Sequence, residues 1–316
     1  MRLQRTIPFL IVLGVIAGAV RADAATSKAT FTAGAFLVSV DGGGAALVSS
    51  VEGGNTLGQV LAAGGAIPNK RLTGQVLVQP MKIRFAPGTA LELEKWLGDG
   101  LLPGVRRSSG EVKLLDSTGK SASRRTFQTA GIQTLTIPAL DGTSKAPLSL
   151  TVGVKPSSTT YETDSSAAAK INPKGKTALE ANFRLSIDGV DTTSVAKIDS
   201  LTITQVLSAT GVPQSVEVSN LVVSLAANSS AGWFSWFDDM LAAGDNSDVE
   251  EREGKIEFLG SNRQEVLGTV ELHGLGLISI GAERADGWVT KKGAASASER
   301  VKAEMYCERV SYKPAS

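Results

Sequence analysis

The sequence predicts a mainly β protein of two similar halves, each a compact, largely antiparallel sheet with one packed helix. Three observations carry this. Short blocks of the first half return in the same order in the second, period-two alternation of apolar and polar residues marks strands, and each half has one stretch with Trp and Leu at helical spacing.

The opening block, Phe36-Leu37-Val38-Ser39-Val40-Asp41-Gly42, returns 147 positions later as Phe183-Arg184-Leu185-Ser186-Ile187-Asp188-Gly189. Both read as a strand entering an Asp-Gly turn. Residues 81–86 align with 221–226 at an offset of 140, and each is followed at equal distance by a Trp (Trp96, Trp236) and a Leu (Leu101, Leu241). Residues 110–115 match 254–259 at an offset of 144; Thr126-Phe127 and Gly131-Ile132 match Thr269-Val270 and Gly274-Leu275 at 143. The offset changes only between blocks, as expected where loops vary and elements do not.

The first helix is expected to start at Thr89, with Glu92 completing a capping box, to present Leu93, Trp96, Leu97 and Leu101 on one face, and to break at Gly98 and Gly100. The second is expected to be capped by Ser229 or Ser230, with Trp233, Trp236, Phe237 and Leu241 at the same spacing. Alternation over residues 75–78, 111–115, 135–137 and 148–154 predicts half-buried strands. Residues 158–178, rich in Ser, Thr, Ala, Lys and Gly, read as a linker between a first domain, 25–157, and a second, 179–316.

Arg2 and Arg5 precede an apolar run over 7–20, and Ala22-Asp23-Ala24 offers a small-x-small cleavage pattern, so residues 1–24 read as a secretory signal peptide. The run has 14 positions, short of the roughly 20 needed to span a bilayer, so stable membrane insertion is not expected. The expected product is secreted or periplasmic after cleavage near Ala24. A net charge of +1 gives no field to draw the chain to nucleic acid. One Cys, Cys307, excludes an intrachain disulfide, and one His, His273, leaves no imidazole cluster for zinc or a histidine relay.

The run from Ile83 through the Trp96 helix, the strand Glu111-Val112-Lys113-Leu114-Leu115-Asp116, the turn Ser117-Thr118-Gly119-Lys120 and the strand through Arg125-Thr126-Phe127 resembles the tail tube proteins of contractile phages and related injection systems. The resemblance covers most of residues 35–160. The second half keeps Ile187-Asp188-Gly189, the Trp236 helix and the strand 254–259, but its turn has become Gly260-Ser261-Asn262-Arg263. The resemblance implies a β-sandwich or barrel in each half, and six-membered rings that stack into a tube. With two tandem copies per chain, it implies a homotrimer forming a pseudo-hexameric ring, with other tail-like components as further partners.

No residue is expected to be catalytic, to bind a cofactor or to hold a metal. His273 reads as a strand histidine, and Asp238 and Asp239 stand at successive helical positions that point apart. The acidic stretch 245–253 lacks the glycine-ordered alternation of an EF-hand loop. The runs Gly42-Gly43-Gly44 and Gly53-Gly54 read as turns, since neither opens a helix or leads to Lys-Ser/Thr. Trp96 and Trp236 read as core anchors, and Cys307 as an inert buried residue. The sequence thus predicts an exported structural protein without enzymatic activity, the alternative being a secreted β-sandwich binding module acting on glycan or a surface partner.

Overall fold

The computed structural model describes residues 35–63, 69–101, 107–166, 178–207, 213–244, 250–283 and 300–315. The expected signal peptide lies outside them. The first half runs β1 (Ala35–Val40), β2 (Ala46–Val48), β3 (Ser50–Gly53), β4 (Thr56–Ala63), β5 (Asn69–Val78), β6 (Met81–Phe85), α1 (Leu91–Gly100), β7 (Ser108–Leu115), β8 (Ser121–Ile137), β9 (Leu140–Asp141), β10 (Leu150–Lys155) and β11 (Ser158–Thr163). The second runs β12 (Phe183–Ile187), β13 (Val195–Ile198), β14 (Leu201–Leu207), β15 (Pro213–Val218), β16 (Leu221–Ala226), α2 (Ala231–Ala243), β17 (Arg252–Leu259), β18 (Val266–Ala282) and β19 (Arg300–Pro314). The protein is therefore mainly β, with one α-helix described in each half.

The strand order β1-β7-β8-β10-β6-β3 of the first sheet recurs as β12-β17-β18-β19-β16-β13 in the second. The halves are also stitched together. β14 pairs with β8, Leu201 lying opposite Ile137, and β9 pairs with β13, Leu140 lying opposite Ile198. The expected linker gives way to a strand over its first residues: β11 pairs along β8 from Ser158 opposite Gln128 to Thr163 opposite Ser123. Its alternating Thr and Tyr side chains suit a pleated edge despite their polar composition. Residues 167–177 of that stretch lie outside the described residues.

Both Asp-Gly turns form, with φ of 49° at Asp41 and 72° at Gly42 in the first and 70° at Gly189 in the second. The Asp41 carboxylate accepts hydrogen bonds from the Ser109 amide (3.0 Å) and the Ser108 hydroxyl (2.9 Å), which fixes the start of β7 beside β1. The two 17-residue strands β8 and β18 each carry a bulge, with positive φ at Thr129 and Gly274. Gly110 lies opposite Phe127 and Gly254 opposite Leu272, so Phe127 corresponds to Leu272 and not to Val270. The sequence match was displaced by two residues there. A two-residue slip leaves every side chain on its own face, so alternation could not expose it.

The helices depart from the expected caps. Ala90, not Thr89, is the N-cap of α1, and Thr89 turns its hydroxyl back to the Ala86 carbonyl (2.6 Å). The reaching carboxylate belongs to Glu94, which accepts from the amides of Gly88 (2.9 Å) and Ala90 (3.1 Å), while Glu92 pairs with Lys95 at the surface. Gly98 lies inside α1 without breaking it, and the helix ends at Gly100, the second of the two glycines. A Cβ on Gly98 would come within 2.7 Å of the Tyr312 carbonyl oxygen, and one on Gly100 within 2.6 Å of Ile132. At α2 the N-cap is Ser230, but its hydroxyl donates to the Ala227 carbonyl and caps nothing.

Leu93, Trp96, Leu97 and Leu101 are buried as expected, and Trp96 stacks on Phe127 with ring centroids 6.3 Å apart. Trp233 and Trp236 are buried too, and their indole N–H groups are satisfied by the carbonyls of Asp191 and Glu250, both at 3.0 Å. Arg252 lies over the Trp236 ring, 4.7 Å from its centroid. Leu241 breaks the pattern: it was expected on the inner face and is 64% exposed.

Candidate assembly surface

Among the described residues β4 and β5 pair only with each other, forming a two-stranded arm. Its root is fixed by a corner that only glycine permits. Gly53 and Gly54 have φ of 78° and 71°, and a Cβ on Gly53 would run into the Pro80 carbonyl oxygen. Arg125 of β8 donates to the Gly53 carbonyl and to the Asn55 side-chain oxygen (3.1 Å), while the Thr159 hydroxyl of β11 donates to the Gly54 carbonyl (2.9 Å). The corner is thus bolted to the sheet and the arm projects from it.

The arm carries Leu57, Val60, Leu61, Leu72, Val76 and Leu77, all exposed, Leu72 at 71% and Val76 at 62%. Alternation over residues 75–78 predicted a half-buried strand; the strand exists, but nothing among the described residues covers it. Apolar side chains on both faces of a lone two-stranded ribbon are characteristic of a surface that meets another chain. Charged residues stand at the outer end, Lys70 and Arg71, both exposed.

The hairpin β14–β15 occupies the corresponding position in the second half. Val51 lies opposite Ile83 and Ile198 opposite Val223; Ile83 and Val223 correspond at the offset of 140, which sets Val51 against Ile198 at the 147 of the opening block and equates Thr56 with Ile203. Here the hairpin is covered. Leu201 and Ile203 are buried where β14 runs along β8, and the Gln205 side-chain N–H donates to the Gly100 carbonyl at the end of α1 (3.2 Å).

A second polar feature crosses between the halves. Glu94 is fully buried, and besides its two backbone amides it accepts from the Tyr312 hydroxyl of β19 at 2.7 Å. Burial raises its pKa above the ordinary carboxyl value, against the pull of these hydrogen bonds, and burial also raises the Tyr312 phenol well above its own, helped by the neighbouring carboxylate. A cleft of about 560 Å³ opens beside this contact between α1 and the end of β19. Two of its carboxylates have structural work already: Asp41 holds the start of β7, and Glu92 pairs with Lys95.

Of the residues weighed as chemistry in the sequence, the described structure brings His273 and Glu253 together and leaves the rest apart. His273 sits in β18 with Nδ1 2.5 Å from Glu253 and Nε2 3.4 Å from the Ser311 hydroxyl. Asp238 and Asp239 are exposed on α2. Of the acidic stretch, Glu251 accepts from the Tyr306 hydroxyl (2.7 Å) and Glu253 meets His273, while residues 245–249 lie outside the described residues. Cys307 is buried and its thiol is pushed up to about 11, chiefly by burial. Among the described residues no group of three or more His, Cys, Asp or Glu side chains could hold a metal. Nor is any described helix long and apolar enough to cross a membrane.

Sequence reasoning missed two features: the exposure of the arm and the Glu94–Tyr312 contact. The first had a signal, the apolar residues at both parities over 57–61 and 72–77, which fit neither one sheet face nor a helix.

No family model matches the chain, and no curated protein does. Solved structures do. A chain of the sheath–tube complex of an extracellular contractile injection system, PVC, in its extended state matches with a TM-score of 0.37 and 20% identity, over 43% of this chain and 94% of that one. A chain of the anti-feeding prophage cap, AFP, which terminates its tube, matches with a TM-score of 0.38 and 18% identity, over 46% and 99%. A chain of the PVC sheath/tube terminator in the extended state matches with a TM-score of 0.34 and 21% identity, over 40% and 92%.

Proposed function

We propose that this chain is the structural subunit of an exported assembly of rings or tubes, with no catalytic role. In this reading residues 25–157 and 179–316 are tandem tail-tube-like domains, and the leader is removed near Ala24 to release a secreted or periplasmic protein. Three chains then supply the six places of a pseudo-hexameric ring. The observation that carries the reading is the projecting arm β4–β5, whose exposed apolar side chains need a cover that the described residues of one chain do not supply. The shared strand order of the two halves supports the tandem reading.

Light scattering and negative-stain microscopy of the mature protein test it. Closed particles of three chains are expected. A protein that stays monomeric at every concentration overturns the reading and favours a monomeric binding module for glycan or a surface partner.

A further inference from the structure

The two halves differ in what lies beside the far end of their longest strand. β7 leaves β8 at Ala130, opposite Ser108; beyond that point β8 is flanked by β10 on one side and by β14 on the other, through Thr134, Leu135, Thr136 and Ile137. β17 leaves β18 at Leu275, opposite Arg252, and beyond that point β18 is flanked by β19 alone among the described residues. Among the described residues, one side of the sheet is therefore closed in the first half and open in the second.

The residues on this open edge follow from register. Ile132 faces Val154, which faces Met81; Leu277 faces Met305, which faces Leu221. Met81 and Leu221 are the same position of their halves, so Ile132 corresponds to Leu277. Each strand then carries a bulge residue, at 133 and at 278. Ser279, Ile280, Gly281 and Ala282 thus answer to Thr134, Leu135, Thr136 and Ile137. Leu135 and Ile137 are buried under β14, whereas Ile280 is only half-buried and Ile278 and Ala282 are exposed.

We propose that the arm β4–β5 of one chain completes this edge of β18 in a second copy, in the register that β14 adopts on β8. Asn55 then faces Gly281, Thr56 faces Ile280 and Leu57 faces Ser279, as Thr202, Ile203 and Thr204 face Thr136, Leu135 and Thr134. The inference rests on the assembly reading above and names its contact. Three observations select a second copy as the occupant. The chain already seats the corresponding hairpin on the corresponding edge. Leu101, at the end of α1 beside the Gly100 carbonyl that Gln205 caps, is 2% exposed, while its counterpart Leu241 is 64% exposed at the end of α2, where the incoming arm would lie. The outer end of the arm is basic, at Lys70 and Arg71, and the exposed side of α2 is acidic, at Asp238 and Asp239. Each chain offers one arm and one open edge, so the contact is head-to-tail.

The test uses the mature full-length chain with Thr56→Cys and Ile280→Cys together, the two single substitutions as controls, and Thr56→Cys with Ile278→Cys as an off-register pair. Under mild oxidation the register pair is expected to give intermolecular disulfides in roughly tenfold greater yield than the off-register pair, since only directly opposed positions bring Cβ atoms within disulfide reach. Leu72→Lys with Val76→Lys, at sites exposed in the single chain, should weaken assembly about tenfold or more while leaving the far-UV circular dichroism and unfolding midpoint of the monomer unchanged. Assembled particles that give no register cross-link, or that survive the lysine pair, overturn this contact while sparing the assembly reading. A wild-type protein that never assembles overturns both.

Discussion

The Glu94 carboxylate in the first-half helix accepts a hydrogen bond from the Tyr312 hydroxyl in the last strand, across 218 residues of sequence. It also accepts the Gly88 and Ala90 amides, so one buried side chain closes the helix N-terminus and ties it to the other half. Glu94→Ala leaves three donors without their partner, and is expected to cost about 2–4 kcal/mol of stability. Glu94→Gln keeps an oxygen for the amides and should cost less. The pH dependence separates them further. The Glu94 pKa is raised in the folded protein, so the native state holds its proton more tightly than the unfolded chain, and this contribution to stability is lost as pH rises from the ordinary carboxyl value through the raised one. Urea unfolding at a series of pH values should show that decline in the wild type and its absence in Glu94→Gln.

Leu101 and Leu241 hold corresponding helix positions in opposite surroundings. In the isolated chain Leu101→Ala is expected to cost about 2–5 kcal/mol, the usual range for a buried leucine. Leu241→Ala should stay within about 0.5 kcal/mol. Chemical denaturation of both variants under dilute conditions checks the contrast; equal losses would contradict the burial difference.

Cys307 is buried in β19, and its thiol, raised to about 11, stays protonated in ordinary buffers. Labelling by a thiol reagent at pH 7.5 should be slow in the native protein and fast in denaturant. The sign at alkaline pH follows from the same shift. The folded state favours the neutral thiol, so its contribution to stability is present below the ordinary thiol value and lost as pH rises through about 11. Rapid native labelling would contradict the packing role.

Much of this fold was legible in the sequence because alternation and helical spacing report burial directly. β1, β7 and β12 lie where the repeated blocks put them, and Trp96 and Trp236 are core anchors. What escaped depends on partners distant in the chain. The shared spacing from the Trp does not distinguish Leu241 from Leu101, although Leu101 follows the last residue of α1 and Leu241 lies within the longer α2. The sequence does not mark Glu94 as a cap, because Glu92 stands at the familiar spacing from Thr89 and one of the donors to Glu94 comes from the far end of the sequence. The two-residue slip between β8 and β18 has a related cause: side-chain parity survives it, and only the pairing with β7 and β17 locates the bulges. The arm was legible as strand but not as surface, since an apolar residue carries no record of what it touches.

The seating of β14 on β8 also sets an order of events for a growing chain. Ile137 waits for Leu201, Gly100 waits for Gln205, and Glu94 waits for a tyrosine four residues from the C-terminus. Such long loops close late, because their entropy is spent before the contact repays it. The N-terminal half therefore remains unfinished until the last strand is delivered.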